Sequence, residues 1–192
     1  MEQIIQIDKD AFLYLNNLGN PSWDDFWRFV SYKFTWIPFY ILLFVLLIKH
    51  LGWKKAMVVL VLTLFMILIS DQVTNIIKDS VKRLRPCFTK EFEGLIRPIG
   101  CERRGQFGFT SAHASNHFAL ALLIGMVLRK KIKWLIYVLL IWAAIIAYSR
   151  VYLGVHFPLD ILCGGILGLI ISTGFYYLYK AVERKWDLDP RD

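Results

Sequence analysis

A chain of 192 residues and 22.5 kDa has room for one ordinary domain, yet 57% of its residues are hydrophobic, 16% are aromatic and its mean hydropathy is +0.48. Soluble domains hold about 45–50% apolar residues counted with glycine, so disorder, a collagen-like repeat and a disulfide-dense secreted scaffold are excluded. The 23 Lys and Arg against 15 Asp and Glu, a net charge of +8, point on so apolar a chain to membrane flanks and anionic lipid or phosphate partners, not to nucleic acid.

Along the chain, Ala11, Phe12, Leu15 and Leu18 recur at helical spacing against Lys9, Asp10, Asn16 and Asn17, the pattern of a helix lying in the membrane interface over residues 1–22. Met1 to Leu18 does not read as a signal peptide, because it lacks a basic start, an uninterrupted apolar stretch and a small-residue cleavage site. Gly19, Asn20 and Pro21 break this helix, and Ser22 with Asp25 three residues on resembles a capping signal for the next. A span needs roughly 17–25 mostly apolar residues. Five stretches qualify: Phe26 to His50 with Pro38 as a kink, Ala56 to Lys78, a short one from His113 to Leu128, Ile132 to Tyr148, and Leu159 to Tyr179. Gly164, Gly165 and Gly168 in the fifth allow another helix to approach closely.

The fold class expected is all-α: a polytopic membrane helix bundle of about five spans plus an N-terminal interfacial helix, forming one domain over residues 1–192. A polar loop at 79–112 joins the second and third spans, and residues 180–192 form a tail. Lys49, Lys54 and Lys55 crowd one short connection, and Arg129, Lys130, Lys131 and Lys133 another. By the positive-inside rule these clusters and the C-terminus are cytoplasmic, the loop faces outward, and the membrane is the cytoplasmic (inner) one.

Polar groups far apart in sequence meet where spans two to five end on that outward side. Lys78 closes the second span and Arg85-Pro86 follows; Ser111-Ala112-His113 opens the third; Ser149-Arg150 closes the fourth; His156 and Asp160 open the fifth. Ionisable groups at membrane depth are expensive and mark function by default. Lys and Arg cations call for an anion, and phosphate fits the planar guanidinium fork. His156 and Asp160, four apart, share a helical face, so the carboxylate can hold one ring nitrogen and leave the other to attack, with His113 left to donate a proton to the departing oxygen.

Lys78, six residues, Arg85-Pro86, then Ser111-x-His113, then Ser149-Arg150, five residues, His156, three residues and Asp160 closely resembles the three-part signature of the type 2 phosphatidic acid phosphatase family, in its membrane-embedded branch. The resemblance implies His156 as a nucleophile forming a phosphohistidine, Asp160 as its orienting partner, and His113 as general acid and then base. It implies Lys78, Arg85 and Arg150 as phosphate ligands with a further hydrogen bond from Ser111, and neither a metal nor another cofactor. The central block departs from the usual Pro-Ser-Gly-His: here it is Thr110-Ser111-Ala112-His113.

The activity expected is metal-independent hydrolysis of a phosphomonoester or pyrophosphate on a membrane lipid. The resemblance puts undecaprenyl diphosphate or phosphatidylglycerol phosphate first, with lipid A, phosphatidic acid, a lipid phosphotransferase and a non-catalytic anionic-lipid transporter as alternatives. Beside these stand plainer readings. His117 with Asn116 suits polar packing, Asp71 suits either orienting Lys78 or bridging helices, and the Trp and Tyr residues suit interfacial belts. Lys82, Arg83, Arg103 and Arg104 form either a solvated face or an attractor of anionic head groups, and Cys87 and Cys101 share the loop and can form a disulfide.

Overall fold

The computed structural model describes residues 2–101 and 105–186, and every regular element among them is helical. In chain order these are α1 (Glu2–Asn17), α2 (Asp24–Ser31), α3 (Ile37–Leu51), α4 (Trp53–Val81), α5 (Ala112–Leu128), α6 (Leu135–Tyr152) and α7 (Pro158–Lys185). Four stretches are long and apolar enough to cross a membrane: Lys33–Leu51, Trp53–Val81, Leu135–Tyr152 and Pro158–Lys185. The 17 residues of α5 reach only about 25 Å, so its polar first turn lies within the bundle end rather than beyond it.

The bundle is apolar outside as well as inside. Ile41, Leu42 and Val45 of α3, Leu64, Phe65 and Leu68 of α4, Tyr137 and Ile141 of α6 and Ile166 and Ile170 of α7 are exposed, an apolar surface that lipid covers. The interior combines an apolar core, Leu43, Leu47, Leu128, Leu139 and Ile146 among it, with small and polar residues at the helix contacts. α5 is the central helix, packed most extensively on α7, then on α6, and also on α4. Backbone proximity is what the small residues provide: a Cβ on Gly164 would lie 3.2 Å from the Ser111 nitrogen, and one on Gly168 would run into the Ser115 carbonyl. Ser70 and Ser115 share a hydrogen bond of 2.7 Å between α4 and α5. Asn116 donates to Asp71 at 2.8 Å across the same pair, so Asp71 bridges helices, while Lys78 donates to Asn75 at 3.2 Å.

Several sequence expectations need correction. The span expected from Phe26 to His50 is divided: α2 ends at Ser31, a 3-10 turn covers Lys33–Trp36, and α3 starts at Ile37. Pro38 therefore occupies the first turn of α3, where its missing N–H breaks no bond, and kinks nothing. Ser22 does not cap α2; Asn20 accepts from the Ser22 N–H at 3.0 Å and caps the short turn Pro21–Trp23 instead. Of the aromatic residues read as belts, Trp23, Trp53, Trp134 and Trp186 are exposed, whereas Trp27 stacks on Tyr152 and Trp36 donates to the Val30 carbonyl at 2.8 Å.

Within α1, Phe12 is buried against Phe92 and Phe157 with ring centroids 5.8 and 5.2 Å away. Asn16, expected on the polar outer face, is fully buried, because it donates to the Tyr152 carbonyl at 2.9 Å and accepts from the Arg97 N–H at 2.8 Å. α4 runs on to Val81 and stops where Lys82 takes a left-handed conformation, φ 53°, turning the chain back over the bundle end. The following loop is held by a Cys87–Cys101 disulfide, by Arg97 bonded to Asp24 at 2.7 Å, and by antiparallel pairing of its two ends, with Arg85 N–H donating to the Gln106 carbonyl at 2.9 Å and Gly108 N–H to that of Arg83 at 2.8 Å.

Candidate active site

The C-terminal ends of α4 and α6 and the N-terminal ends of α5 and α7 meet under this loop. Local structure explains why His156 sits there. α6 ends at Tyr152, Gly154 takes φ 75°, and the N–H groups of Val155 and His156 donate to the Arg150 carbonyl at 3.0 and 3.3 Å, folding the turn back on α6. α7 then starts at Pro158, and Asp160 closes its first turn by accepting from the Phe157 N–H at 3.0 Å. His156 is 3% exposed and Asp160 fully buried, with Nδ1 of His156 at 3.4 Å from Oδ2 of Asp160. On the other side of the ring, Nη1 of Arg85 lies 2.8 Å from Nε2. A guanidinium only donates, so Nε2 presents its lone pair and the imidazole is neutral with its proton on Nδ1, toward the carboxylate.

Arg85 is aimed by its loop: Nε donates to the Gly105 carbonyl at 2.8 Å and Nη1 to that of Val155 at 3.1 Å. Gly108 permits this, since a Cβ there would sit 3.1 Å from Cγ of Arg85 and 3.2 Å from Oδ2 of Asp160. Arg150 is fully buried and donates to the Ser31 hydroxyl of α2. Ser111 caps α5, its hydroxyl accepting from the Ala114 N–H at 3.4 Å, while its own N–H ties α5 to α7 through the Asp160 carbonyl at 3.0 Å. His113 follows on the first turn of α5, half-buried, and its carbonyl accepts from Nδ1 of His117 at 2.7 Å. His117 also meets the Tyr40 hydroxyl at 3.3 Å and the Trp142 ring, which is polar packing. Lys78, half-buried at the end of α4, lies within electrostatic reach of Arg85.

Five of the seven predicted residues, His156, Asp160, Arg85, Arg150 and Ser111, thus gather around the His156–Asp160 pair or its backbone; His113 stands on the first turn of α5 two residues after Ser111, and Lys78 at the margin beside Arg85. Among the described residues no group of His, Cys, Asp and Glu is arranged to hold a metal ion.

Sequence reading missed Arg83 and Asp8. Arg83 is no solvated residue: Nη1 donates to Asp160 at 2.9 Å, Nη2 to Asp8 at 2.6 Å, and its Cζ lies 4.0 Å from the centre of the Phe157 ring. A signal was available, because residues two apart on an extended segment face the same way, and Arg83 and Arg85 flank Leu84 on the paired strip opposite Phe107. Arg103 and Arg104, grouped with it, lie outside the described residues.

Fold and site together define a polytopic membrane protein with a cluster of cationic and histidine side chains at one end of its bundle. Residues 56–184 match the sequence model of the PAP2 superfamily, and the chain belongs to that family. It is 33% identical over 98% of its length to the lipid A 4'-phosphatase of Bacteroides thetaiotaomicron, of which it covers 84%. To the phosphatidylglycerophosphatase B of Bacillus subtilis it is 32% identical over 60% of the chain and 54% of that protein. Its fold is similar to the crystal structure of a transmembrane PAP2-type phosphatidylglycerolphosphate phosphatase from Bacillus subtilis, with a TM-score of 0.71 at 19% identity over 96% of this chain and 88% of that one. The protein is an integral-membrane lipid phosphatase.

Proposed function

We propose that the protein removes a phosphate monoester from a lipid A-type glycolipid through a phosphohistidine on His156. The observation that carries the chemistry is the neutral imidazole held between Asp160 and Arg85, with its Nε2 lone pair 2.8 Å from a phosphate-binding group. Nε2 attacks phosphorus, the bond from phosphorus to the lipid oxygen breaks, and His113 gives that oxygen its proton. Water then attacks the phosphohistidine, His113 takes back a proton, the N–P bond breaks and inorganic phosphate leaves. Arg85, Arg150 and Lys78 neutralise the charge on the phosphoryl oxygens, Arg85 turning from Nε2 to phosphate as substrate arrives, and Ser111 contributes a further hydrogen bond.

The choice of lipid rests on the similarity to a lipid A 4'-phosphatase over 98% of the chain, α1 and α2 included. A groove of about 420 Å³ between α3, α4 and α5 supports a lipid: its walls include Ile37, Phe44, Leu60 and Leu120, and its upper end is Asn116 and His117, one turn from His113. That volume lies within the range of small-molecule sites, about 300–1,000 Å³.

Phosphate release by the detergent-purified protein, with EDTA present, tests this on lipid A, undecaprenyl diphosphate, phosphatidylglycerol phosphate and phosphatidic acid. The expected result is a kcat/KM for lipid A at least about tenfold above the others and unchanged by EDTA. A preference for another lipid overturns the substrate. Loss of activity in EDTA overturns the metal-free route, and transfer of phosphate to a lipid or sugar hydroxyl without release overturns hydrolysis.

The site faces the periplasm or exterior of the cytoplasmic membrane in this proposal. The Lys49–Lys55 and Arg129–Lys133 clusters at the opposite bundle end support it, as does a disulfide beside the site, a bond that persists in oxidising compartments. In a variant with Cys163 replaced by alanine, Glu93→Cys is expected to react with a membrane-impermeant maleimide on intact cells. Reaction only after lysis reverses the orientation.

A further inference from the structure

The nucleophile's carboxylate is itself held by two residues outside the signature, one of them from the amphipathic N-terminal helix. Asp160 is fully buried, and a buried carboxylate keeps a fixed place only when its lone pairs are engaged. Its Oδ2 accepts from the Phe157 N–H at 3.0 Å and faces His156, and its Oδ1 accepts from Arg83 at 2.9 Å. The guanidinium of Arg83 is fixed in turn by stacking on Phe157 and by Asp8, whose side chain is only 5% exposed. The two oxygens of Asp8 do different things: Oδ2 accepts from Arg83 at 2.6 Å, and Oδ1 accepts from the Leu159 N–H at 2.7 Å, in the first turn of the helix that carries Asp160. One carboxylate of α1 thus clamps both the cation on Asp160 and the backbone beneath it. Phe12, one turn further along α1, closes the contact on Phe92 and Phe157.

We infer that Asp8 and Arg83 are positioning residues for the His156–Asp160 pair, and that α1 is a wall of the active site as well as a membrane-surface helix. Neither residue touches the reacting atoms. Without Arg83, Asp160 loses the bond on Oδ1 and is free to rotate its carboxylate away from Nδ1; without Asp8, Arg83 and the start of α7 lose their common anchor. Both losses reach Nε2 as a displacement of the ring, the kind of misplacement that costs turnover rather than binding.

The inference rests on the proposed role of His156, so the experiment carries His156→Ala beside Asp8→Asn, Arg83→Gln and their double variant. The probe is the lipid of the panel above that the wild-type protein turns over fastest. The expected result is a fall in kcat of about 10- to 100-fold for each single variant with KM within about twofold, and a double variant no slower than Arg83→Gln alone, because Asp8→Asn keeps an oxygen for the Leu159 N–H and loses only the contact to Arg83, so the two act along one path. Arg83→Lys, which keeps the charge but reaches only one carboxylate at a time, is expected between wild type and Arg83→Gln. Effects that multiply in the double variant, a loss carried by KM, or a loss matched by a falling unfolding temperature would overturn the inference while leaving His156 as nucleophile. Full activity in His156→Ala would instead overturn the reading beneath it.

Discussion

Replacing His156 by alanine is expected to reduce phosphate release by a factor of about 10⁴ to 10⁶, the cost of removing the proposed nucleophile, which works as a unit with its neighbours. Asp160, Arg85 and the Arg150 carbonyl are all spent on orienting this one ring, at 3.4 Å from Nδ1, 2.8 Å from Nε2 and 3.3 Å from the backbone N–H. In the proposed mechanism the cationic cluster would still bind phosphate without it but have nothing to form the covalent intermediate. KM is therefore expected to change little while kcat collapses. Rapid quenching in base during turnover is expected to trap phosphate on the wild-type protein and none on the variant. Because His156 is 3% exposed, alanine leaves a hole, so His156→Gln, closer in volume, belongs beside it, and both unfolding temperatures are measured. Activity within tenfold of wild type in a folded variant would remove His156 from the reaction.

How much of this was legible in the sequence depended on whether a residue's neighbours were local. The ends of α4 to α7 were readable because long apolar runs bounded by polar residues must be spans, and spans that alternate in direction bring every second end together. His156 and Asp160 were readable as a pair from their spacing, but not as one helical face: His156 lies in the bend before α7, and Asp160, in the first turn of that helix, reaches back to it. Asp8, Asn16 and Arg83 were not, and for one physical reason. Amphipathic reasoning sends polar residues to water, whereas each of these is drawn inward by a partner remote in sequence: Asp8 by Arg83 and Leu159, Asn16 by Arg97 and Tyr152, Arg83 by Asp160. The division between α2 and α3 was hidden differently. Residues 26–50 are apolar enough for one span, and only the turn at Tyr32 to Trp36, fixed by the Trp36 bond to the Val30 carbonyl, breaks them. That break brings Ser31 to Arg150, which no local pattern announces.

The glycine stripe of α7 gives the second large effect, since it carries the packing that assembles the site. Gly168→Leu is expected to lower the unfolding temperature and to abolish most activity, because its Cβ would meet the Ser115 carbonyl, a backbone atom of α5 that no rotamer change can move. Overpacking of this kind typically costs about 1–3 kcal/mol, and about 2–4 °C per kcal/mol is the usual scale for chains of this size. Activity suffers beyond stability. The α5–α7 contact is where the Ser111 N–H reaches the Asp160 carbonyl at 3.0 Å, so pushing the helices apart moves the first turn of α5, which carries His113, away from Asp160 as well. Gly174 supplies the control within the same helix: nothing lies within 4 Å of a Cβ built there, and leucine at that position, facing lipid, is expected to leave both unfolding temperature and turnover near wild type. If Gly168→Leu and Gly174→Leu unfold together and turn over alike, α5 and α7 are not in the contact described, and the route by which four separated sequence blocks reach one site would have to run through α6 and the loop instead.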